Sequence, residues 1–261
     1  MTSMTSTDGL DSLEQRLRRP ADPGRFSDDE LAGLPGPVAR YFRAAIAPGA
    51  PLARAVDVDM RGHLKLNRRW LPLRAHEVFA PHVGFVWRAR VAVVIAGSDR
   101  YADAHGAMDW KLLRLFRVAR AAGPDVARNS AARAVAEAVW VPTALLPRFG
   151  VRWQAETQRE LTARLTLDGT DFELHLRIDD EGGVESMWLD RWGDPDQSGD
   201  WAEHRFGMQT IETRTFGSST IPAVVRVGWF PDTARWAEGE FIRCGVTALA
   251  PVDTSREDLH P

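Results

Sequence analysis

Asn129–Pro147, NSAARAVAEAVWVPTALLP, is the one long helical signal in the middle of a chain that otherwise alternates like strands, and its reading decides the fold. Asn129 or Ser130 offers a short side-chain oxygen to cap the first turn, and the alanines that follow carry the highest helix propensity. Val135, Ala138, Val139 and Trp140 share one side, whereas Ser130, Arg133 and Glu137 recur at spacings of three and four on another. Pro142 forces Val141 toward extended geometry, so the helix is expected to stop near Trp140, and Pro147 bounds the apolar exit. A rod that leaves through so apolar a segment must dock onto something.

On both flanks the hydrophobic period is two. Ahead of the rod, Val56, Val58, Met60, Leu64 and Leu66 alternate with polar neighbours, and further strands are expected at Trp70–Phe79, Phe85–Ala96 and Tyr101–Met108. Gly106 marks a bulge or bend in the last of these. Lys111–Arg120 satisfies both periods and is read as a strand. Behind the rod, Leu161–Leu167 and Phe172–Ile178 form a hairpin about Gly169, and strands follow at Val184–Trp192, His204–Phe216, Ala223–Phe230 and Trp236–Leu249. With no strand–helix–strand rhythm, the pattern describes two antiparallel meanders, and roughly ten strands accumulate enough twist to curl. The expected fold is α+β and mostly antiparallel: a large curved sheet, half-barrel or open barrel, with N-terminal helices and one central helix packed on the concave face. A two-layer sandwich is the rival.

Leu10, Leu13 and Leu17 fall at helical spacing, Ser27 and Glu30 form a capping box, and Val38–Ile46 carries a buried stripe behind Pro37. The expected organisation is a flexible N-terminal segment with a short helix over 1–26, a single β-rich domain over 27–252 with helices near 27–46 and 129–141, and a tail over 253–261. Hydrophobic residues make up 44% and charged residues 26% of the 261 residues, as in an ordinary globular protein. A net charge of -3 gives no overall basic surplus, so a nucleic-acid partner is not expected. Cys244 is the single cysteine, the N-terminus lacks the apolar core of a signal peptide, and Val91–Gly97 is far short of a membrane span. These features point to a cytoplasmic protein without a transmembrane segment.

No phosphate loop, dinucleotide fingerprint, nucleophile elbow or HExxH motif is present, and no cofactor is implied. His76, Glu77 and His82 resemble a metal cluster, but neighbours on a strand face opposite ways, so no metal site is assigned. Asp99, Arg100, Asp103, His105 and Asp109 form the densest group of titratable side chains, and a histidine among carboxylates is suited to general base work or to an ordinary solvated turn. Glu137 either pairs with Arg133 on an exposed face or projects into a sheet cavity. Glu173, His175 and Arg177 share the face opposite the leucines, as outer surface or as cavity lining. Ten tryptophans spread over almost every strand favour a large aromatic interior. The candidate catalytic residues are therefore Asp99, His105 and Glu137, and the candidate ligand-binding residues are Trp87, Glu137, Trp140 and Trp188.

LPGPVARYF at Leu34–Phe42, DRYADAHGAM at Asp99–Met108 and AEAVWVPTALLP at Ala136–Pro147 resemble a bacterial family of uncharacterised proteins defined by a domain of unknown function. That resemblance implies no activity and no site residues. The layout is also similar, as architecture alone, to the lipoprotein-carrier half-barrels. The function expected is non-catalytic binding of an apolar or lipid-like small molecule between curved sheet and helix. The alternatives are a small enzyme using Asp99, His105 or Glu137 in that cavity, and a structural or interaction module.

Overall fold

A computed structural model describes residues 7–18, 24–113 and 115–252. The tail expected over 253–261 lies outside the described residues, as do 1–6 and 19–23 of the segment expected over 1–26, whose short helix spans Thr7–Leu17. Two helices come first, α1 at Thr7–Leu17 and α2 at Gly36–Ala45, with Pro37 in the first turn of α2. Six strands follow: β1 Val56–Leu66, β2 Arg69–Ala80, β3 Gly84–Val91, β4 Ile95–Ala102, β5 His105–Leu112 and β6 Phe116–Ala122. The central helix α3 spans Pro124–Glu137 and runs on as short 3-10 turns through Phe149. Seven strands complete the chain: β7 Arg152–Ala155, β8 Glu160–Leu167, β9 Thr170–Ile178, β10 Val184–Gly193, β11 Ala202–Phe216, β12 Ser219–Trp229 and β13 Glu240–Pro251.

All thirteen strands join one antiparallel sheet in the order β6-β5-β4-β3-β2-β1-β13-β12-β11-β10-β9-β8-β7. Each meander pairs strand to strand, and the two are sewn together by β1 against β13, from Val56↔Pro251 to Leu64↔Ile242. Seven strands separate β5 from β10 in this order, yet α3 packs against both. Eight strand spacings laid flat span roughly 38 Å, against a helix diameter of about 10 Å, so the sheet must wrap. It is the expected open, curled sheet with α3 held inside the curve, and not the rival two-layer sandwich.

The core occupies the concave side. Val58, Met60, Leu73, Phe79, Phe85 and Val91 point inward from β1 to β3, and Leu174, Leu176, Met187, Val225 and Val246 from the other half. Tyr41 and Phe42 of α2 close one end against Trp153, with ring centroids 5.5 and 5.4 Å away. Helix α1 lies on the other side of the sheet, where Leu10, Leu13 and Leu17 cover Val78, Ala80 and Val86 in a small separate cluster.

Several local readings change, among them the strand expected at Tyr101–Met108, which is the hairpin end joining β4 to β5 and turns at Asp103 (φ 52°) and Ala104 (φ 58°). α3 starts at Gly123–Pro124 and not at Asn129, because proline presets the first-turn φ; Asn129 lies mid-helix and donates instead to the Trp192 carbonyl at 2.7 Å. Phe85–Ala96 is two strands, since Ala92 (φ 48°) and Val93 (φ 67°) turn the chain between β3 and β4. Lys111–Arg120 likewise divides into the end of β5 and β6, with Leu113 at φ 52°. Gly106 marks a close approach: a Cβ there would lie 2.7 Å from the Val126 carbonyl oxygen of α3. Among the described residues no helix is long and apolar enough to cross a membrane.

Candidate functional site

A cavity of about 510 Å³ lies between α3 and the concave face. Its walls come from both meanders. β1 to β6 supply Met60, Leu64, Leu66, Trp87, Ile95, Met108, Trp110 and Val118, and β10 to β13 supply Met187, Phe206, Met208, Val227, Ile242 and Cys244. α3 and its 3-10 extension supply Arg133, Ala136, Glu137, Val139 and Trp140. Met60, Trp87, Met187 and Cys244 are buried and form the floor, whereas Asn67, Val118 and Ala119 are exposed and mark the mouth. Methionine and aromatic side chains make such a wall adaptable in shape.

The polar part of this cavity is organised by Arg133. Its Nε donates to Glu137 Oε1 at 2.8 Å, Nη1 to Asp99 Oδ2 at 3.1 Å and Nη2 to Glu77 Oε1 at 3.3 Å. The guanidinium also lies over the rings of Phe85 and Trp87, at 4.5 and 4.9 Å. Alternation explains the convergence, because Glu77, Trp87 and Asp99 are direct cross-strand partners on β2, β3 and β4 and therefore share one face. Four residues separate Arg133 from Glu137, which puts them on one side of α3.

Burial pushes the Glu77 carboxyl well above the ordinary carboxylate range, and the negative charge of Glu137 adds to it against the pull of Arg133. Burial likewise raises Asp99, although Arg133 and the Trp110 indole N–H, 2.9 Å from Oδ1, oppose the shift. Asp99 keeps 24% of its side-chain surface, and that surface borders the cavity. Burial works against the charge on Arg133, but Glu137, Glu77 and Asp99 outweigh it and hold the guanidinium above its usual value. Arg191, buried over Phe206 and close to the Arg133 charge, is shifted the other way. Trp87 Nε1 of the lining has no hydrogen-bond partner among the described residues, whereas Glu77 and Glu137, each with an Oε2 that no other side chain meets, are joined to one another when Glu77 carries its proton. Burial pushes the Cys244 thiol up to about 12, so it is an unreactive part of the floor.

Of the residues singled out in the sequence, Asp99, Glu137, Trp87 and Trp140 come together here, and Trp140 Nε1 is anchored on the Pro222 carbonyl at 3.0 Å. His105 does not join them. It is the first residue of β5, on the other face of the sheet and exposed, with Nδ1 2.6 Å from the Asp103 carbonyl. Trp188 is also elsewhere, because it alternates with Met187 and Leu189 and so faces outward; it stacks on His175 at 3.7 Å beneath Arg205. Glu173 pairs with Arg164 on that outer face. His76 is held between Asp57 and Asp59 on the convex side, and His82 contacts the Ala144 carbonyl. Glu77 and Arg133 were not among the sequence candidates. The signal available for Glu77 was its parity with Leu73, Ala75 and Phe79, which marks a carboxyl on a core face.

The sequence matches the family described as Family of unknown function (DUF6544) over residues 24–241, and the chain belongs to that family. The three resembling segments all fall within the matched region. Three solved structures are similar in fold. One is a putative outer membrane lipoprotein-sorting protein domain from Vibrio parahaemolyticus, with 11% identity and a TM-score of 0.39 over 78% of this chain and 87% of that one. A DUF1329 family protein from Desulfovibrio piger has 9% identity and a TM-score of 0.38 over 79% and 88%. A LolA superfamily protein from Nitrosomonas europaea has 11% identity and a TM-score of 0.39 over 77% and 86%. No curated protein matches the sequence.

Proposed function

We propose that this member of the family binds an apolar or lipid-like small molecule between α3 and the curled sheet. The observation that carries the reading is the cavity itself: about 510 Å³, walled mainly by methionine, aromatic and aliphatic side chains, with charged groups confined to the Arg133 cluster and the neighbouring Arg191. Small-molecule sites have this size and this mixture, where apolar area supplies affinity and a few polar groups fix orientation. The ligand class is an apolar body with one polar group directed at Asp99, Glu137 and Trp87. An unmade hydrogen bond on a buried polar atom costs about 1–3 kcal/mol, and a ligand that offers an acceptor to Trp87 Nε1 recovers it. A cytoplasmic setting belongs to the same reading.

Native mass spectrometry of the purified protein, with solvent extraction, tests this. Displacement of an environment-sensitive lipophilic fluorophore measures affinity. One ligand per chain is expected, with binding weakened more than about tenfold in Ala136→Trp, which sets an indole in the cavity where a methyl group stands. Protein that carries nothing and takes up no fluorophore refutes it.

One observation favours acid–base chemistry in the same cavity. Glu77 is shifted toward its protonated form beside Glu137, and unequal carboxyls held together are the usual basis for an acid and a base. Conversion of the extracted ligand that Glu137→Gln abolishes while binding persists supports that reading. A ligand recovered unchanged supports a carrier.

A further inference from the structure

Two hairpin tips beside the cavity mouth carry side chains that the fold does not use. In the β3–β4 tip Val93 is 91% exposed and Val94 41%; in the β5–β6 tip Leu113, Leu115 and Phe116 are 56%, 78% and 64% exposed. The tips touch, since the Leu113 amide donates to the Val94 carbonyl at 2.6 Å. Neither tip has turn-favouring residues. Ala92, Val93 and Leu113 hold positive φ, a conformation costly for a β-branched residue, whereas the tips at Asn67–Arg68 and Asp168–Gly169 include residues that tolerate it. A strained valine that is fully exposed gains nothing from packing. Ile95, Val118 and Ala119, a few residues from these tips, line the cavity, so the apolar patch borders its mouth.

The convex face behind the tips has the complementary charge. Arg61, Arg74 and Arg90 lie directly opposite one another across β1, β2 and β3, and the row continues through Ala96 to Lys111 on β5 and Arg117 on β6. Like charges directly opposite on neighbouring strands repel. Among the described residues Arg61, Arg74, Arg90 and Lys111 form no ion pair, and they border a hollow of about 710 Å³. The acids there are already engaged, Asp59 with His76 at 2.9 Å and Asp109 with Arg117 at 3.3 Å. Arg90 and Lys111 stand two or three residues from the apolar tips, which is about 7–10 Å of strand. That offset matches the depth to which apolar side chains enter a bilayer while basic groups stay among the headgroups.

We propose that these two hairpin tips dock the protein on an anionic lipid bilayer, with Val93, Leu115 and Phe116 among the acyl chains, Arg74, Arg90 and Lys111 at the headgroups, and the cavity mouth beside the membrane. Exchange of a lipid-like molecule with the bilayer rests on the proposed ligand binding; the docking does not.

Flotation with vesicles tests the proposal, using phosphatidylcholine alone and phosphatidylcholine with 30 mol% phosphatidylglycerol, at low and high salt. Wild type should float with the anionic vesicles at least about tenfold better than with the neutral ones, and lose that preference at high salt. The variant Arg74→Gln/Arg90→Gln/Lys111→Gln should lower partitioning roughly 100-fold at low salt, at about fivefold for each basic residue. Val93→Asn/Leu115→Ser/Phe116→Ser should abolish stable attachment with a melting temperature no lower than that of wild type, since the exposed tips add no packing and asparagine relieves the strained φ at residue 93. If a variant fails to fold, the wild-type salt and lipid series decides alone. Wild type that ignores anionic vesicles overturns the proposal, as does binding indifferent to salt. Light scattering that finds a dimer dispersed by the tip variant, without flotation, assigns the patch to a second copy and also overturns it. Fluorophore displacement without vesicles is read separately, so docking and the cavity can fail independently.

Discussion

Replacing Arg133 by methionine isolates what the cavity's polar cluster contributes. The variant keeps most of the side-chain volume and removes the one guanidinium that Glu137, Asp99 and Glu77 share at 2.8, 3.1 and 3.3 Å. Glu77 is 0% exposed and Glu137 and Asp99 are largely covered, so solvent does little to replace the lost charge. Breaking a buried pair in this way costs about 3–5 kcal/mol. At 2–4 °C per kcal/mol for a chain of this size, melting should fall by roughly 6–20 °C at pH 8. The deficit should depend on pH. A carboxyl whose folded pKa is raised binds more protons in the folded than in the unfolded state between its unfolded value, 4.5 for Glu77, and its folded value. Stability therefore falls as pH rises through that interval. Loss of Arg133 raises the folded values further, so the deficit should be largest at pH 8 and shrink toward pH 5. Adding Glu77→Gln should restore part of it, because the two side chains are coupled. Differential scanning calorimetry at both pH values, on both variants, measures this. A deficit below about 1 kcal/mol, equal at pH 5 and pH 8, refutes the argument that Arg133 neutralises the buried carboxyls.

Glu77→Gln alone should flatten the wild-type decline in stability above pH 4.5, a slope of at most about 1.4 kcal/mol per pH unit, in chemical denaturation at several pH values. Asp57, held down to about 2 by its hydrogen bond to His76 and then by Arg18, and Glu240, held there by Arg226 and Arg243, act with the opposite sign: their stabilisation is present above their unfolded values near 4 and is lost as pH falls toward 2. The same titration should therefore pass through a maximum between those limbs. Gly106→Ala should cost about 1–3 kcal/mol, because the added methyl would meet the Val126 carbonyl oxygen at 2.7 Å and push α3 off β5, read as a lower denaturation midpoint. Val93→Asn should stabilise by about 1 kcal/mol, since asparagine tolerates φ near 67°. Leu13→Ala should accelerate hydrogen exchange in α1, which is held by the small outer cluster, and leave exchange in α3 unchanged.

Periodicity made the sheet legible. Val56 to Leu66 and Leu161 to Ile178 alternate because one face of each strand is dry, and a run of such strands without crossover helices can only pair antiparallel. The resemblance carried by Leu34–Phe42, Asp99–Met108 and Ala136–Pro147 also holds, as the family match shows. Turns were legible where the residues declare them, as at Asp168–Gly169, and were missed at Ala92–Val93, at Asp103–Ala104 inside the strand expected over Tyr101–Met108, and at Leu113, where mostly apolar residues take positive φ. At Pro124 the breaker and the helix start are the same residue, and the alanine run drew the boundary five residues late.

The sequence by itself determined the strand pattern, the central rod and the candidacy of Asp99, Glu137, Trp87 and Trp140, because these follow from local spacing and side-chain chemistry. Only the tertiary structure decided that Glu77 and Arg133 complete the cluster, that His105 and Trp188 stand apart from it, and which face of α3 is dry. The reason is physical: curling brings β2 to β4 against a helix more than 20 residues away in the chain, and whether a polar residue meets water or a cavity is set by that distant packing, which no local period encodes.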